Sequence, residues 1–383
     1  MAGELDLTYE KNFAPRADGR YVCTMAAHMA MLRDFKPRLA LPENLTEETF
    51  AAWQTDVKDT LRKQLRMPQV GPQPAPVKRS AVQREGYRVE KWEFYPDDFT
   101  VVPFLVLIPD GATKQSPAPA VMCYLGSCEN KEFAAGEPML DHPNCRQNEG
   151  STPFAKDFVK NGLVTFVFDN PGIGECSVMS DPQLGATQSY IREILCHGLL
   201  ETGYGYVGLT VFQRLQFLQW LGSFPYADQD KLAIAAHDLG TEAAIAVGLL
   251  DEHIKAIAYG DVLRDARRHF FAATEQPCSI MAQDVGKWHV LPGKMMTYGY
   301  PDLCAAFAPR YLGLCDGSNE EFVNTIRRAY AFRNAEDTLF VGATVKNGEV
   351  LPTKGLQNEE VYAAPILDTA AELKLFKKCF TMD

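Results

Sequence analysis

The chain has 383 residues, 46% of them hydrophobic and 23% charged, with a formal charge of −11. That is enough apolar material for a large core, and the acidic balance argues against nucleic acid or anionic membrane as partners, since both require basic surface. No run of about 18 apolar residues occurs, and the opening MAGELDLTYEKNFAPRADGRY has early acids and no apolar stretch, so neither a membrane span nor a secretory signal is expected.

Residues 1–80 read as a helical N-terminal extension. AAHMAMLRDF (26–35) and TEETFAAWQTDVKDTLRKQLR (46–66) carry apolar residues at helical spacing, and Thr46, Glu48 and Thr49 supply capping chemistry. GPQPAPVK (71–78) is a proline-rich connector. The main domain, 81–383, opens with two antiparallel strands, YRVEKWEFYP (87–96) and FTVVPFLVLIP (99–109). Short apolar runs follow: AVMCYL (120–125), LVTFVF (163–168), LAIAA (232–236), IKAIAY (254–259), RYLGLC (310–315) and TLFVGA (338–343). Helical stretches lie between and after them, at 152–162, 205–223, 239–251, 319–333 and 370–380. Continuously apolar strands alternating with helices predict an α/β fold. The expected sheet is mostly parallel and eight-stranded, with helices on both faces.

The ten cysteines form no C-x-x-C pair, and several fall inside predicted elements. This pattern suits reduced thiols in a cytoplasmic protein. Cys128, His142 and Cys145 are irregularly spaced for a metal site, so no metal and no cofactor are expected.

Three loops follow strand C-termini, where ligands of open α/β sheets bind. They are YLGSCENKE (124–132), FDNPGIGECS (168–177) and AAHDLGTE (235–242). With WHVLPGKMMTYGYPDLCAAFAPRYL (288–312), their order and spacing resemble the α/β-hydrolase superfamily. More narrowly, they resemble its acetyl xylan esterase-like and dienelactone hydrolase-like branch. The resemblance implies a strand–turn–helix elbow at Ala236–Gly240, with 261–300 as an insertion over the site. It also implies an oxyanion hole from the N–H groups of Leu239 and of Gly126 or Ser127.

The chain departs from that pattern at three points. The elbow position that carries serine in the branch holds Asp238. The acid position after RYLGLC offers Asp316, Asn319 and Glu320. The position after the last strand reads TVKNGEVLP and has no histidine; the last histidine in the chain is His289. Haloalkane dehalogenases and epoxide hydrolases of the superfamily use an elbow aspartate, so Asp238 is the candidate nucleophile or base. It can equally be a helix N-cap, since Asp is favoured there.

His237 is a candidate acid or base, or a buried neighbour of the elbow. Glu175 faces the pocket or caps the next segment. His269 is the spare base if the mechanism is rewired, with Arg264, Arg267 or Arg268 for an anionic substrate. His289, beside Trp288, reads as structural. The expected function is hydrolysis of a small-molecule substrate: an ester, a lactone or an acylated metabolite. The alternatives are a lyase, isomerase or cyclase with Asp238 as base, or an inactive scaffold. The helical extension is compatible with a homodimer.

Overall fold

Both helices expected before residue 80 are present, as α1 (Thr24–Leu32) and α2 (Glu47–Gln64). The computed structural model describes residues 14–32, 35–126, 129–138, 152–177, 188–260, 287–315, 318–342, 344–345 and 369–382. Thr46 and Thr49 close a capping box at the start of α2. Phe50, Trp53, Val57 and Leu61 line its buried face, three to four residues apart, as one side of a helix requires. They join the same core as Phe94, Phe104 and Ile234 of the sheet. Burial of each such side chain stabilises by about 1.5–3 kcal/mol. Gln54 adds side-chain hydrogen bonds to the carbonyls of Ala306 and Ala308.

The strands are β1 (Val77–Arg84), β2 (Tyr87–Phe94), β3 (Val102–Pro109), β4 (Ala118–Tyr124), β5 (Val164–Phe168), β6 (Ala227–Ala236), β7 (Ile254–Tyr259), β8 (Tyr311–Leu314), β9 (Ser318–Asn319), β10 (Leu339–Val341) and β11 (Thr344–Val345). Nine of them form one sheet, in the order β1-β2-β3-β5-β4-β6-β7-β8-β10. The expectation of eight strands is therefore corrected to nine. The added strand is β1, whose sequence VKRSAVQR is exposed almost throughout and shows no apolar alternation. It is an edge strand, and its Lys and Arg side chains discourage further pairing. Pairing is antiparallel from β1 through β3 to β5, and parallel from β5 to β10.

The remaining helices are α3 (Lys131–Ala135), α4 (Phe154–Lys160), α5 (Gln188–Glu201), α6 (Tyr206–Leu218), α7 (Gly240–Leu250), α8 (Lys294–Thr297), α9 (Tyr300–Ala306), α10 (Glu320–Phe332) and α11 (Thr369–Phe380). Side chains of α3, α4 and α11 bury one sheet face, and those of α2, α7, α9 and α10 bury the other. The chain leaves β4 for β5 on one side, then crosses back to β6 on the other. The loops after β4, β5 and β6 therefore meet at a topological switch point, where such sheets bind ligands. No described helix is long and apolar enough to cross a membrane.

Candidate active site at the elbow

The last residues of β6, Leu232–Ala236, are all buried, and the chain then turns sharply into α7. His237 N–H donates to the Tyr124 carbonyl at 3.0 Å, and Gly240 N–H donates back to the His237 carbonyl at 2.8 Å. Between them Asp238 has φ +44°. A non-glycine residue in the left-handed region costs of order 1–3 kcal/mol, and Asp is among the types that tolerate it best. Gly240 is required by packing: a Cβ there would lie 2.6 Å from the Tyr124 carbonyl carbon and oxygen.

His237 and Leu239 are buried, whereas Asp238 is exposed at the apex. The cap position of α7 belongs to Leu239, with no side-chain cap hydrogen bond. The Asp238 backbone carbonyl, not its carboxylate, accepts from the Thr241 N–H and hydroxyl.

The carboxylate of Asp238 lies against the Gly126 loop. A Cβ on Gly126 would sit 3.3 Å from both Asp238 Oδ2 and Glu129 Oε2, so these two oxygens lie within twice that distance of each other. Glu129 is buried, and its Oε2 accepts the Gly126 N–H at 2.8 Å. The elbow thus carries a pair of carboxylates, and one expected oxyanion donor is already bonded to the second of them.

The loop after β5 braces this arrangement. Asn170 donates to the Leu125 carbonyl at 2.7 Å, directly before Gly126. Asp169, fully buried, accepts the Lys131 N–H and Nζ, each at 2.8 Å, and the Glu175 N–H at 3.1 Å. Gly174, at φ +55°, has no room for a Cβ, because Asp169 would be 2.5 Å away. The Glu175 carboxylate bonds Lys131 at 2.5 Å and Lys91 at 2.6 Å. Burial pushes its carboxyl up, but the two lysines outweigh burial and hold it below the usual range. Glu175 therefore ties the loop to β2.

His237 points away from the open edge. Its Nε2 lies 3.0 Å from Glu372 Oε1 on α11, and its ring packs 4.1 Å from that of Phe154. Ser127, Cys128, His142, Cys145, Arg264, Arg267, Arg268, His269 and Asp316 lie outside the described residues. Glu320 is exposed at the start of α10, and Asn319 ends β9.

A second polar group, absent from the sequence reading, is built on α7. Glu242 lies in its first turn and is buried. It meets His289 Nδ1 at 3.3 Å, Lys294 Nζ at 3.3 Å and the Tyr300 hydroxyl in a short hydrogen bond. Burial pushes the Glu242 carboxyl up, but Lys294 and His289 outweigh it and hold it below the usual range. Glu242 follows Asp238 by four residues, and that helical spacing was its one signal in the sequence. Glu129 had none, because its partner is a backbone N–H brought close by a turn.

Among the described residues, no cluster of three His, Cys, Asp or Glu side chains is placed to hold a metal ion. A cavity of about 260 Å³ lies between Lys63, Arg66, Tyr204 and Leu291. It shares no residue with the elbow or with the Gly126 and Asp169 loops.

A Bacteroides fragilis structure, provisionally described as an acetyl xylan esterase, is 31% identical with a TM-score of 0.81. The match covers 96% of this chain and 97% of that one. A glucuronoyl esterase from Solibacter usitatus shares the fold at 13% identity and a TM-score of 0.56, over 90% of this chain and 97% of its own. A glucuronoyl esterase from Teredinibacter turnerae does so at 12% and 0.55, over 91% and 90%. No curated protein matches the chain. The abhydrolase family model matches residues 7–349. The chain has the α/β-hydrolase fold and belongs to the abhydrolase family.

Proposed function

We propose that the chain is a hydrolase for a small ester, lactone or acylated metabolite, with Asp238 as the acting group. One observation carries this reading: an exposed carboxylate held at φ +44° where β6 turns into α7, beside the buried Glu129. The names of the Bacteroides fragilis relative and of the glucuronoyl esterases support an ester as the bond cleaved.

Asp238 acts as a base on water. Direct attack by its carboxylate on an alkyl ester would build a tetrahedral centre in which the carboxylate is the better leaving group, so collapse returns the substrate. Water attack avoids that return. Asp238 takes the proton, the water oxygen bonds the carbonyl carbon, and the Leu239 N–H faces the oxygen that becomes negative. The Gly126 N–H joins only if Glu129 turns away from it.

That bonded N–H favours a second reading: Asp238 as base in a lyase, isomerase or cyclase that needs no two-donor oxyanion hole. Single turnover of an ester and lactone panel in ¹⁸O water separates the cases. The hydrolytic base puts label in the product acid and none in Asp238. Label in Asp238 supports covalent catalysis, and turnover without product label supports the second reading. An unchanged rate in Asp238→Asn sinks all three.

A further inference from the structure

We propose that His289, oriented by Glu242, is the general acid that protonates the leaving group. The inference rests on the reading of Asp238 as the base that activates water. The ring is fixed on one edge and open on the other. Its Nδ1 is held 3.3 Å from the buried carboxylate of Glu242, while a quarter of the side chain stays open to solvent. The other ring nitrogen, Nε2, makes no hydrogen bond among the described residues.

The backbone beneath the ring is pinned as well. Lys294 Nζ donates to the His289 carbonyl at 2.8 Å and to the Tyr300 hydroxyl at 2.6 Å. Trp288, the preceding residue, packs against the apolar cluster of Ile173, Cys196, Tyr206 and Leu239. The Arg192 guanidinium lies over the Trp288 ring at 4.0 Å. His289 is thus held against Glu242 in the first turn of α7, and its neighbour Trp288 packs on the cluster that contains Leu239. Among the described residues, the charged and titratable groups around it are Glu242, Lys294, the Tyr300 hydroxyl and, across Trp288, Arg192.

Asp238 has taken a proton from water, and the tetrahedral centre carries the negative charge on oxygen. The oxyanion electron pair re-forms the carbonyl as the C–O bond to the alcohol breaks. The Nε2 proton of the imidazolium passes to the departing oxygen. Asp238 then loses its proton to solvent, and the imidazole regains one. The net reaction is ester plus water to acid plus alcohol. Nδ1 keeps its hydrogen toward Glu242 throughout, which presents Nε2 to the substrate.

A general acid matters only where the leaving group needs a proton. Full-length wild type, His289→Ala, His289→Gln and Asp238→Asn are assayed on benzyl acetate and on p-nitrophenyl acetate, with melting temperatures as a folding check. Both His289 variants should lose about 10²–10³-fold on the benzyl ester. Their loss on the p-nitrophenyl ester should be several-fold at most, because nitrophenolate departs unaided. Added imidazole should restore much of the benzyl activity of His289→Ala. Equal losses on both esters, or no loss on either, overturn the general acid and leave the base reading intact. A full rate in Asp238→Asn with a selective loss in His289→Ala overturns the base reading alone. Wild type inert toward both esters overturns both.

Discussion

Two histidine–glutamate pairs lie on opposite sides of Asp238, and they differ in burial. Below the elbow, His237 and Glu372 are 2% and 0% exposed. Above it, His289 and Glu242 are 25% and 8% exposed. His237 is adjacent to Asp238 in sequence, which makes it the first histidine a reader considers. The turn after Ala236, with Asp238 at φ +44°, separates the two side chains: His237 lies against Phe154 and α11, while Asp238 is exposed at the apex. The histidine with an open nitrogen comes from the far end of the excursion after β7. The same two residue types thus form a sealed brace in one place and an accessible dyad in the other.

Stability separates the two pairs most widely. Glu372→Ala removes the carboxylate that His237 Nε2 meets and opens a hole under the elbow, and it should cost about 1–3 kcal/mol. Urea unfolding measures this. A loss below about 1 kcal/mol would mean that the lower pair is no brace. The hydrolysis rate of the surviving folded fraction should change little, because this pair faces away from Asp238.

Glu242→Gln tests the upper pair. It keeps the size of the side chain but removes the charge that orients His289, and benzyl ester hydrolysis should fall about tenfold or more. The pH dependence of stability gives a second reading of the same carboxylate. Its folded-state pKa lies below the reference value of 4.5. A depressed carboxyl contributes stability that is complete above its unfolded value and is lost as pH falls through the folded one. The stability gap between wild type and Glu242→Gln should therefore be full at neutral pH and shrink below 4.5. A gap that is flat from neutral pH to well below that value would show that Glu242 is not held ionised by Lys294 and His289.

The parallel strands were readable because burial on both faces leaves continuous apolar runs such as AVMCYL and LVTFVF. Strand β1 was not readable: on an exposed edge VKRSAVQR buries neither face, and its apolar residues Val77, Ala81 and Val82 follow no alternation. The elbow was legible from Gly240, whose missing Cβ is what lets α7 meet Tyr124. The site around it was less so. Glu129 acts on a backbone N–H three residues earlier, and His289 reaches Glu242 only because α8 and α9 fold back onto α7. Such partners are made by tertiary contact, and no local pattern announces them.

The smallest effect tests the elbow that separates the two pairs. At φ +44° Asp238 carries backbone strain that glycine does not feel. Its side chain is exposed, so little packing is lost with it. Against the relief stands the greater freedom of glycine in the unfolded chain, which takes back part of the gain. Asp238→Gly should therefore be about 0.5–1 kcal/mol more stable than wild type in urea, and inactive. Asp238→Ala is the control: it keeps the strain, loses the carboxylate, and should gain nothing. A glycine variant that is less stable than wild type would mean that the carboxylate stabilises the folded chain through its contacts with the Gly126 loop. The position would then be one selected for structure, and the strain at the elbow would no longer speak for catalysis.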